Sequence, residues 1–134
     1  MFLYQFNMKE GKAFMELAVQ AMQIIGNDET CERAEYETYL TELNLQDYNI
    51  VGMNFHEAAE CFKESSLPVK RTVIIELCGI LYEGKKISIE AENWIYKLSD
   101  KFKINRLETE RLIRWSKDFS DFIEVGLMYI NAKK

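Results

Sequence analysis

Carboxylates near two reversals of the chain are the first residues whose placement suggests chemistry. Glu83 stands just before Gly84 and Glu90 opens the helix that follows, while Asp28 and Glu32 occupy comparable places after Gly26. Side chains gathered in this way supply oxygen ligands to Ca²⁺ or Mg²⁺, although six or more oxygens are needed, so backbone carbonyls and water must complete the shell. The same residues have a plainer use. Acidic groups interact favourably with the positive end of a helix, and Glu90 and Glu92 are placed for that.

Glu76 is the only charged residue between Arg71 and Glu83, in the most apolar stretch of the chain. An ionised carboxylate there needs a lysine, an arginine or a hydrogen-bonding group, or else stays protonated. His56 and Glu60 lie four apart, as at the start of a zinc-protease helix. The second histidine is missing, and zinc is left short of ligands. Bases and an aromatic interleave at Arg111, Arg114 and Trp115, a set suited to anchoring an acidic protein partner. Cys31, Cys61 and Cys78 are widely spaced and odd in number, which reads as reduced thiols. No Gly-rich phosphate loop, nucleophile elbow or Ser/His/Asp set is present, so no catalytic residue and no certain cofactor is assigned.

The elements that must position these residues follow from spacing. Val73, Leu77, Ile80 and Leu81 mark one stripe of a helix that Pro68 begins and Gly84 ends. Ser88 caps a second helix striped by Ala91, Trp94, Ile95, Leu98 and Phe102, and so short a connection packs the two as antiparallel neighbours. Earlier, Asn7 with Glu10 opens a helix that runs to Gly26, and a second covers about Arg33 to Leu43. Asn54 with Glu57 opens a short third. After the central pair, Asn105 with Glu108 opens a sixth, and a seventh runs from about Asp118 to Asn131 with Phe119, Phe122, Ile123, Leu127 and Ile130 on one side. The aromatic set Tyr36, Tyr39, Trp94, Tyr96, Trp115, Phe119 and Phe122 follows core spacing. Met1–Phe6 is apolar and carries no clear signal.

Six glycines and one proline in 134 residues imply few turns and long elements, hence one all-α domain over residues 1–134. No apolar run approaches the ~20 residues that cross a bilayer, and the first residues lack the pattern of a secretion signal, which points to a cytoplasmic protein without membrane insertion. Residues 1–67 carry four basic against twelve acidic residues and 68–134 carry thirteen against ten. The asymmetry suits a charged protein partner or contact between copies, a homodimer included. An overall charge of −5 argues against nucleic acid.

Shifted by 58 residues, the chain aligns with itself: Leu17 falls on Ile75, Met22 on Ile80, Gly26 on Gly84, Glu32 on Glu90, Tyr36 on Trp94 and Leu40 on Leu98. Two diverged helical hairpins are expected, as pseudo-repeats over about 12–66 and 68–131. The run Ile80-Leu81-Tyr82-Glu83-Gly84-Lys85-Lys86-Ile87-Ser88-Ile89-Glu90 resembles the repeated motif of the tellurite-resistance TerB-like domains. The likeness is clearest over Val73–Leu112 and fainter over Phe14–Leu43, with Glu83-Gly84 where the family has Asp-Gly. It implies about seven helices in two pseudo-repeated halves, a soluble protein of stress-related complexes, and a divalent cation held by acidic residues near the helix junctions; the alternative to a partner-binding module is a cation- or oxyanion-responsive binding protein centred on Glu83 and Glu90.

Overall fold

A computed structural model of the chain describes residues 2–26, 29–82 and 87–133, with the backbone alone for 29–32. A single 3-10 turn, Leu3–Gln5, precedes α1 (Met8–Ile25), α2 (Glu29–Glu42), α3 (Phe55–Glu60), α4 (Leu67–Leu81), α5 (Ile89–Lys101) and α6 (Arg106–Asn131). Among the described residues there is no strand, and no helix is long and apolar enough to cross a membrane.

Local chemistry sets most of these boundaries. The Asn7 side chain accepts from the Glu10 amide while Glu10 accepts from the Asn7 amide, so two of the four amides orphaned at the start of α1 are satisfied reciprocally. Asn54, Ser88 and Asn105 accept in the same way from Glu57, Ala91 and Glu108. Gly26 ends α1 at φ +67°, a conformation costly for any residue with a Cβ. Ser66 caps α4, with the proline in its first turn.

The expected seven helices are six among the described residues, because Arg106–Asn131 is one unbroken helix of 26 residues. Lys117 and Asp118 are not a boundary. Nothing there breaks the backbone pattern, and Lys117 Nζ reaches Asp121 Oδ2 at 3.2 Å, an i,i+4 pair that runs through the supposed junction. Helix α2 also begins earlier than Arg33. The hinge expected at Gly84 lies outside the described residues, but α4 and α5 on either side of it do pack together, as do α1 and α2.

Helices α1 and α4 form the middle of the fold. The first touches α2, α3, α4 and α5, and the second touches α1, α5, α6 and the N-terminal turn. Their facing sides are closed to water through Phe14, Leu17, Ala18, Val73, Ile74 and Leu77. Phe6 lies 5.4 Å from Phe14 and 6.2 Å from Phe62, and Phe62 lies 5.5 Å from Phe102, so an aromatic file links the N-terminal turn to the end of α5. Leu3 is only 1% exposed. Within the segment 1–6, Leu3 and Phe6 therefore pack with the core, while Tyr4 stays exposed.

Helix α6 runs alongside α4 in the same direction. Arg71 meets Glu108 near their starts, and Gly79 lies beside Phe119 and Ser120. Because α4 stops at Leu81, the last ten residues of α6 continue for about 15 Å without it.

Candidate functional site

The cation candidates divide by position. Glu83 and Asp28 lie outside the described residues, as does the side chain of Glu32. Glu90 is in the first turn of α5, exposed, on the rim of a shallow groove that it shares with Gln20, Gln23, Trp94 and Lys97. Among the described residues no three His, Cys, Asp or Glu side chains come together as a metal would require.

Glu76 is buried, and its Oε1 accepts a hydrogen bond of 2.8 Å from the Phe2 amide. A backbone donor thus supplies the hydrogen bond that the sequence called for. His56 is exposed in the first turn of α3, with Nδ1 2.9 Å from Lys101 Nζ. An ammonium only donates, so the nitrogen facing it is the accepting one. Burial pushes the Cys78 thiol up to about 12, although the Ser116 hydroxyl pulls the other way. That leaves a poor nucleophile.

One carboxylate was missed by spacing. Glu16, 2% exposed on α1, accepts from the Tyr48 hydroxyl at 2.5 Å and from the amides of Val51, Gly52 and Met53 at 2.9, 3.0 and 2.9 Å. Burial alone raises its pKa, but the Tyr48 hydroxyl and the three amides outweigh it and hold the carboxyl below the usual range. Burial and the nearby Glu16 charge push the Tyr48 hydroxyl up, so it remains a donor. Gly52 sits at φ +83° to aim its amide inward. The clasp organises the loop between α2 and α3 and is closed to substrate. Its signal in the sequence was a lone acid among apolar residues, Met15-Glu16-Leu17-Ala18.

The expected partner-binding residues fall on two flanks of α6. Arg111 and Trp115 lie one turn apart and both are exposed, whereas Arg114 lines a separate groove with Tyr82, Glu92, Tyr96 and Lys117. Trp115, 44% exposed, stacks on Phe119 with centroids 5.4 Å apart and planes at 12°, and Phe2 stands 6.3 Å away. These aromatics border a hollow of about 80 Å³ whose other walls include Ile75 and Gly79. A Cβ on Gly79 would meet open space.

Beyond Phe119 the helix is uncovered. From Asp121 to Asn131 no residue is buried, and Phe122, Tyr129 and Ile130 are 75%, 78% and 78% exposed. The core spacing of Phe122, Ile123, Leu127 and Ile130 does not lead to burial, because the helix that would cover them, α4, has already ended. Val125 to Ile130 are six consecutive uncharged residues, more than one full turn, so apolar side chains surround the axis. A helix apolar all round is normally buried. Exposed patches of this kind mark interaction sites, and this one continues from Trp115 and Phe119 to the end of α6. No protein-family model, curated protein sequence or solved structure matches this chain.

Proposed function

We propose that this chain is a non-enzymatic cytosolic interaction module of the TerB-like kind, docking a protein partner in a stress-related complex through the second half of α6. The observation that carries the reading is the apolar girdle of Phe122–Ile130, which the rest of the fold leaves in water. Trp115 and Arg111 open the same surface at its inner end and supply an amphipathic anchor of the sort that dominates interface energies. The TerB-like reading rests on the motif around Gly84 and on the two helical hairpins. Of the carboxylates of the cation alternative only the Glu90 side chain is among the described residues, and its exposed place in the first turn of α5 is accounted for by the positive end of that helix.

A photo-crosslinking residue, benzoylphenylalanine, at Phe122 tests this in the cells the chain comes from, with the same residue at exposed Leu107 as the control. A covalent adduct to a polypeptide at position 122 and none at 107 is the expected result. Equal adducts at both positions, or none at either, overturn the reading.

A further inference from the structure

The apolar stretch of α6 has a pattern that is informative about what covers it. Leu112, Trp115, Phe119, Phe122, Gly126 and Tyr129 alternate spacings of three and four, the positions of a two-stranded helical seam, and Ile123 and Ile130 flank them. One of the six is a glycine. A Cβ built on Gly126 meets nothing within 4 Å, so the seam has an open seat halfway along its exposed part.

We propose that this half of α6 pairs antiparallel with the same segment of a second copy of the chain, the Phe122 ring of each copy filling the seat over Gly126 of the other. This rests on reading the α6 end as an interaction surface, and it names the occupant. In the antiparallel register that sets Phe122 against Gly126, Phe119 falls opposite Tyr129 and the two Ile123 side chains meet beside the axis. A parallel pair in register sets Phe122 against Phe122 and Gly126 against Gly126, a crowded layer next to an empty one, and core layers tolerate neither.

Charge selects the same direction. Asp118, Asp121 and Glu124 lie between Trp115 and Ile130, where Lys117 is already held by Asp121; the other nearby bases are Arg111 and Arg114, before Trp115, and in sequence Lys133 and Lys134, after the helix end at Asn131. Antiparallel pairing brings Lys133 of one copy toward Asp118 and the Trp115 ring of the other. Parallel pairing places acid beside acid and lysine beside lysine. The exposed apolar surface is continuous along this run: Phe122, Ile123, Leu127, Met128, Tyr129 and Ile130 each stand with about half or more of their surface in water, and a standard interface takes ~800 Å² from each partner.

Sedimentation equilibrium on the full chain tests the proposal, with far-UV circular dichroism as the check on folding. A monomer–dimer equilibrium is expected, weakened at least tenfold by Ile130→Glu, a change at an exposed position. Gly126→Leu is the sharper variant, because it raises helix propensity and adds apolar surface. It should weaken the dimer at least tenfold by filling the seat, and a dimer that tightens instead overturns the proposal. Orientation is read from charge reversal. Asp118→Lys with Asp121→Lys should weaken pairing, and Lys133→Glu with Lys134→Glu in the same chain should restore it; no restoration overturns the antiparallel arrangement. A chain that stays monomeric at several hundred micromolar overturns self-pairing. If position 122 then crosslinks to a different polypeptide, the interaction surface stands with another occupant. If it gives no adduct and the chain floats with phosphatidylcholine vesicles, both readings fall.

Discussion

Glu16 shows how one side chain can hold a loop that has no regular structure of its own. Four donors converge on it from residues 32 to 37 positions away, and all four are ordered only when the chain is folded. Glu16→Gln keeps the shape but loses the charge and sets an amide NH₂ among donors, so it should cost about 2–3 kcal/mol, as loss of hydrogen bonds to a charged group does. The pH dependence follows from the lowered folded pKa. The contribution is fully present above the ordinary glutamate value of 4.5 and is lost as pH falls through the lower folded value. Urea titrations should therefore find the wild-type advantage over Glu16→Gln complete at pH 7 and shrinking below pH 4.5. An advantage that grows on acidification would mean the carboxyl is held neutral.

At the scale of elements, α4 contains a substitution that should stabilise. Gly79 is in the last turn of α4 with open space where a Cβ would go, so Gly79→Ala removes backbone freedom from the unfolded chain without a clash. A gain of about 0.5–1 kcal/mol in thermal or urea unfolding is expected. Helix α6 is uneven along its length. In a monomeric variant such as Ile130→Glu, amides of 122–131 should exchange at least tenfold faster than those of 106–118, as hydrogen-exchange mass spectrometry would detect, because only the earlier half packs on α4. These contrasts explain what the sequence disclosed. Caps such as Asn7 with Glu10, Asn54 with Glu57 and Asn105 with Glu108 were legible because each is complete within four residues. The buried stripes of α4 and α5 were legible because their period matches their burial. The Glu16 clasp was not, since its donors are distant in the chain and mostly backbone. Nor was the exposure of Phe122 and Ile130, because apolar spacing says which side of a helix seeks cover and not whether a neighbour extends far enough to give it.

For the whole molecule, the informative residue is near the chain's start. Leu3 is buried in the same cluster as Leu77, Leu98 and Ile113, and the turn around it brings the Phe2 amide to Glu76 on α4 and the Phe6 ring to Phe14 and Phe62. If that cluster is one cooperative unit, a cavity at either end of it must lower the same transition. Leu3→Ala should cost about 2–4 kcal/mol, in the range of core leucine truncations, and Ile113→Ala in α6 should act on the same transition with an unchanged urea m-value. The alternative is an N-terminal segment that detaches before the helices unfold. Leu3→Ala would then leave the main midpoint in place and give circular dichroism and tryptophan fluorescence different transitions, because Trp115 stands beside Phe2 and would report the detachment while the helical signal persisted. Coincident curves by the two probes, shifted together by each substitution, are the outcome that the shared burial of Leu3 and Ile113 requires.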